Sequence, residues 1–212
     1  MAKLPNIQRK HKICVICEGN EEFFYFEKLT NIAVWSDVYE FYLFNAKSAS
    51  NIPAIYTDKF QNNNYEVVLI FCDTDKAPYR EYSLVKKKIR EFHGNKTAAP
   101  RKIIMFANPC TMQIILSHFD DIQLTNQGKK TNADIIEKLT GVKNYDAHIE
   151  QIEEICRQVL HRNYPDMRER VSKINSDDTV SASTNFIVFL EKFESDDTKW
   201  ISKLSTYLAE GK

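Results

Sequence analysis

Net charge is the first thing this sequence lacks. Its 29 Lys and Arg residues are matched by 29 Asp and Glu. A chain so balanced does not grip nucleic acid by bulk charge, which leaves only a local basic patch for that purpose. Long apolar runs are missing too: no stretch approaches the ~20 residues that a membrane-spanning helix requires. Met1 to Lys12 is polar and basic with no apolar run behind it, so no signal peptide is expected and the chain reads as cytoplasmic. The five histidines show no H-x-x-x-H spacing, so zinc is not suggested. No internal repeat or low-complexity tract is visible. Of the five cysteines, Cys14, Cys17, Cys72 and Cys110 lie in or beside apolar runs, which suits reduced, buried thiols. Cys14 and Cys17 form a C-x-x-C, but on an expected strand residues three apart point to opposite faces and cannot share a metal or a disulfide.

What is present is ample material for a core. Hydrophobic residues make up 43% and aromatics 12% of 212 residues, enough for one large domain or a domain with an appended half. Lys12–Cys17 (KICVIC), Val38–Phe44 (VYEFYLF), Val67–Cys72 and Ile103–Ala107 read as strands, the second partly alternating and so near an edge. Between them lie helices at Glu21–Ile32, from Asn51 to about Phe60 with Pro53 in the first turn, and from Pro78 to about Phe92. A fourth helix runs from Pro109 to about Phe119 behind Asn108. This alternation predicts an α/β protein with a parallel sheet covered by helices on both faces. After Asp120 no strand is expected. Helices are predicted at Ala133–Leu139, Ala147–Leu160, Asp166–Ile174, Thr184–Phe193 and Asp197–Leu208, as a helical extension covering 121–212 behind an α/β domain covering 1–120.

The stretch EVVLIFCDTDK (Glu66–Lys76) ends a hydrophobic strand in two aspartates. In open parallel sheets, sites form outside the carboxyl ends of the strands. Glu18 ends the first strand, Asp73 the third, and Asp75 lies two residues on, so three carboxylates converge if those strands are neighbours. Such a cluster is costly unless a hard divalent cation, Mg²⁺ or Mn²⁺, sits among the oxygens. Pro78 takes the first helical position, which makes Ala77 the cap and frees both aspartates from that duty. Lys76 reads either as a solvated lysine or as a phosphate contact. Asn108 reads as an N-cap, as part of a phosphate-holding helix N-terminus, or as both. Lys86–Arg90 reads as the wet face of a helix, Lys47–Ser50 as a turn and cap, and His118 as a contact to a helix dipole.

Three stretches carry a resemblance: CEGNEEFFYFEKL (Cys17–Leu29), IFCDTDK (Ile70–Lys76) and NPCTMQIILSHF (Asn108–Phe119). Residues 12–120 resemble the Toprim domains, especially those of the RloB-like and OLD-type proteins of bacterial mobile and defence loci. The resemblance implies a Rossmann-like sheet of order 2-1-3-4, with Glu18, Asp73 and Asp75 as its acidic site. It also implies Mg²⁺-dependent phosphodiester chemistry on DNA or RNA, as in a nuclease of an anti-phage system. Two departures stand out. The loop after the E-G is one residue shorter and reads Asn20-Glu21-Glu22, where such chains usually carry a threonine-glutamate pair. Met112 occupies a position where they usually carry a Glu. A catalytically silent metal-binding module, acting as the partner of an ATPase, is the other reading.

Overall fold

The computed structural model describes residues 9–62, 64–74 and 78–209. The apolar run Ile13–Cys17 is wholly buried and makes up most of β1 (His11–Cys17). It feeds α1 (Asn20–Asn31), whose Tyr25, Phe26 and Leu29 share the buried face. The half-buried β2 (Tyr39–Asn45) follows, as the alternation of its aromatics predicts. Next come α2 (Ile52–Gln61), with Pro53 in its first turn, and β3 (Val67–Asp73), buried from Val67 to Cys72. The chain continues through α3 (Arg80–Phe92), α4 (Ala99–Ile103), the fully buried β4 (Ile104–Asn108) and α5 (Met112–Leu116). Then follow α6 (Lys129–Thr140), α7 (Ile149–Arg157), α8 (Tyr164–Lys173), β5 (Ser183–Thr184), α9 (Phe186–Glu194) and α10 (Lys199–Ala209).

The protein is therefore α/β, with a mostly parallel sheet of order β2-β1-β3-β4-β5. Neighbours are parallel except β4 and β5. This corrects the expected order 2-1-3-4, which stopped at β4, and the expectation of no strand after Asp120. β5 is only two residues long, but side chains extend its pairing. Thr184 Oγ1 donates to Phe106 O at 2.6 Å, Asn185 Nδ2 donates to Ile104 O at 2.7 Å, and Phe106 N–H donates to Asn185 Oδ1 at 2.9 Å. Backbone groups on the open edge of β4 are thereby satisfied. Pairing with Ser183 keeps Asn108 in the sheet. It is thus not the cap of the next helix, which starts behind Thr111, later than expected.

Residues before and after 120 share one core. Phe186 of α9 stacks on Phe71 of β3 at 5.2 Å, and Phe193 packs against Phe26, Trp35 and Phe41 at 6.1, 5.1 and 5.0 Å. α10 crosses the amino ends of the strands: Trp200 Nε1 donates to Tyr39 OH at 3.0 Å and Ser205 Oγ to Glu66 O at 3.1 Å. The carboxyl ends of β1 and β3 lie at the opposite edge. Among the described residues, no helix is long and apolar enough to cross a membrane.

Candidate functional site

Cys17 pairs with Phe71 in parallel register, so β1 and β3 end side by side. Glu18 and Asp73 emerge there together, and Asp73 N–H donates to Glu18 Oε2 at 3.1 Å. The Asp73 carboxylate is anchored from a third direction. Its Oδ1 accepts from Thr111 N–H at 2.6 Å and from Thr111 Oγ1 at 2.8 Å.

The first turn of α1 adds two more acids. Glu22 folds back to accept Gly19 N–H on Oε2 at 2.9 Å, a capping-box contact that also fixes its carboxylate. Glu21 points toward the segment between α6 and α7, where Tyr145 OH donates to its Oε1 at 2.7 Å. One carboxylate oxygen from each of Glu21, Glu22 and Asp73 lies within 4.8 Å of the other two.

Burial raises the proton affinity of all three, and repulsion from neighbouring acids adds to it for Glu21 and Asp73. Burial first, then the Glu22 charge, pushes Glu21 up to about 7, while the Tyr145 hydrogen bond and the Lys129 charge pull it back. Asp73 stands well above the ordinary carboxylate range, through burial first and then the charges of Glu22, Glu18 and Glu21. Glu22 is raised by burial, against hydrogen bonding from Thr111. A bound metal ion would relieve all three at once, and every donor the cluster offers is a carboxylate oxygen. The residues present fit such an ion.

The acids lie along a cavity of about 280 Å³. One wall comes from the α1 start, from Lys47 and Ser48 after β2, and from Cys110 and Met112. The other comes from the later part of the chain: Gln127, Lys129, Asn132, Ile136, Tyr145, Ala147 and Ile152. The helical half therefore supplies a wall of the site. The Lys47–Ser50 stretch, expected as a turn and cap, bends into a short 3-10 helix (Ala49–Asn51) without a side-chain cap hydrogen bond, and contributes two lining residues.

Of the residues predicted from sequence, the structure brings Glu18 and Asp73 together. Asp75 and Lys76 lie outside the described residues. Asn108 does not line the cavity; its Nδ2 donates to Val180 O at 3.2 Å and to Asp178 O at 3.3 Å, tying down a loop. His118 corrects a further expectation. It sits buried between Tyr25 OH at 3.0 Å and Asn163 Oδ1 at 3.2 Å, and burial lowers it to about 4. It is neutral at physiological pH and offers no charge to a helix dipole. Glu21 and Glu22 were not singled out, because acids in a first helical turn ordinarily serve the dipole. Nothing local in the sequence points to Tyr145 or Lys129.

No family model, curated protein or solved structure matches this chain. The likeness to Toprim domains thus stands on its quoted motifs.

Proposed function

We propose that this protein is a Mg²⁺- or Mn²⁺-dependent enzyme of Toprim type that hydrolyses phosphodiesters in nucleic acid. The reading is carried by one observation: oxygens of Glu21, Glu22 and Asp73 lie within 4.8 Å of one another along an open cavity at the carboxyl end of a parallel sheet. In this reading Asp73, anchored by Thr111, and Glu22, anchored by Gly19, hold the ion. A bound divalent cation supplies Lewis acidity toward a phosphoryl oxygen and lowers the pKa of water. Glu18, beside the cluster, is placed as a further ligand or as the base that takes the proton of the attacking water. Glu21, raised to about 7, joins Asp73 and Glu22 as a ligand once its proton is lost. Lys129 and Lys47 on the cavity wall offset the charge of an entering phosphate.

The test is cleavage of supercoiled plasmid and of RNA with Mn²⁺. Wild type should cleave one of them, EDTA should stop it, and Asp73→Asn should lower the rate by about 10²-fold or more, as loss of one preorganised electrostatic group does. Equal cleavage by the variant sinks the reading. A second reading, the silent metal-binding module partnered with an ATPase, draws on Met112. This buried thioether lines the cavity where the Toprim resemblance implies a Glu. Mn²⁺ binding without cleavage of either substrate would favour it.

A further inference from the structure

Balance over the whole chain conceals a local imbalance on α3 and α4. Lys86, Lys87 and Arg90 on α3 and Arg101 on α4 line an open pocket of about 310 Å³, together with the hydroxyls of Ser83 and Thr97. Among the described residues, Asp178 is the one acid in that lining. Its carboxylate is already engaged, accepting Lys86 Nζ at 2.7 Å and Tyr82 OH at 2.9 Å. The neighbouring Asp177 is turned to Thr179, whose N–H and Oγ1 reach its Oδ1 at 2.9 and 2.7 Å. Lys87 makes only an exposed contact to Glu91 at 3.9 Å, of a kind worth little. Arg90 and Arg101 are exposed and join no ion pair among the described residues. The sequence alone showed the α3 lysines as a wet helix face; the fold adds Arg101 and Thr97 beside them.

Spacing decides what such a surface recognises. Ser83, Lys86, Lys87 and Arg90 follow the i, i+3, i+4, i+7 pattern of one helix face, which spans roughly 10 Å at 1.5 Å per residue. Successive phosphates of one duplex strand advance ~3.4 Å along the axis and also turn around it, so a stripe of this length reaches more than one of them. Guanidinium forks bind phosphate oxygens in pairs, and the two hydroxyls add neutral donors. A row of donors suits a repeating polyanion better than one compact phosphate group. α3 starts a few residues after Asp73, at the same sheet edge as the acidic cavity, and carries the stripe away from it.

We propose that the α3–α4 face docks the sugar-phosphate backbone of the nucleic acid that the acidic cavity acts on, an inference that rests on the function proposed above. It is tested by fluorescence anisotropy on a short labelled duplex DNA, in EDTA, across a series of KCl concentrations. Arg90→Gln with Arg101→Gln should bind more weakly and lower the slope of log K against log salt by ~1.8, at about 0.9 per phosphate contact. Arg90→Lys with Arg101→Lys should keep most of that slope. The control pair Lys138→Gln with Lys203→Gln removes the same charge from exposed positions on α6 and α10 and should leave the slope unchanged. An unchanged slope in the Arg→Gln pair, an equal fall in the control pair, or no binding by wild type at low salt would overturn the proposal. Asp73→Asn should bind with the wild-type slope. A protein that binds through this face but never cleaves keeps the docking surface and loses the hydrolytic reading.

Discussion

Asp73 is where burial, repulsion and hydrogen bonding meet in one carboxylate. Its folded proton affinity is raised, so the folded state binds more protons than the unfolded one. The sign follows from linkage: this contribution favours folding at low pH and is lost as pH rises from the ordinary carboxylate value through the folded one. Metal-free protein at neutral pH therefore bears a cost at this cluster, relieved in part by the protons the cluster retains. Asp73→Asn removes one charge and keeps Oδ1 as acceptor for both Thr111 donors. In EDTA at neutral pH the variant should be more stable by on the order of 1 kcal/mol, a Tm rise of about 2–4 °C for a chain of this size. The gap should shrink under acid conditions and reverse with Mg²⁺, because only wild type gains the ion. Scanning calorimetry with and without Mg²⁺ checks both. A variant that melts lower in EDTA makes Asp73 a structural acceptor and dissolves the cluster. At this scale the sequence was half legible. Glu18 and Asp73 stood out because a carboxylate is costly at the end of a buried strand. Glu21 and Glu22 did not, because the first turn of a helix is where acids are ordinarily found.

Between elements, the decisive contact joins the start of α1 to the segment between α6 and α7. Tyr145 OH donates to Glu21 and favours its charged form. A carboxylate must lose its proton to bind a cation. With Glu21 pushed up to about 7, Mn²⁺ affinity should fall as pH drops below neutrality. Tyr145→Phe removes the hydrogen bond that holds this value down, so the midpoint of the affinity profile should move to higher pH. Calorimetric titration of Mn²⁺ across the neutral range measures it. Superimposed profiles for the two proteins would take Glu21 out of the metal site. Such a contact joins residues 124 apart in sequence and leaves no local trace. β5 escaped notice for another reason. Two residues carry no period, and Thr184 and Asn185 complete the edge with side chains. The long apolar strands and amphipathic helices were legible because their own burial pattern dictates their form.

Over the whole molecule, the change of character near residue 120 does not divide the core. Which aromatic meets which is a matter of long-range packing that periodicity cannot reveal. The seam is built from Phe186 on Phe71 and from Phe193 among Phe26, Trp35, Phe41 and Trp200. Both tryptophans of the chain lie on it, Trp35 at 5.1 Å and Trp200 at 6.3 Å from the Phe193 ring. Their fluorescence therefore reports on docking of the later helices, whereas far-UV circular dichroism reports on backbone structure throughout. If the core is one cooperative unit, the two signals should follow a single urea transition. Phe186→Ala, which empties a fully buried ring position, should destabilise the protein by about 3–5 kcal/mol and move both midpoints together. Mn²⁺ should then raise both midpoints together as well, because the cavity takes one wall from each side of residue 120. A tryptophan transition that precedes the dichroism change would mean that the later helices undock from a sheet still folded. The acids of β1, α1 and β3 would then lose Lys129 and Tyr145 before they lose each other, and Mn²⁺ should stabilise only the second step.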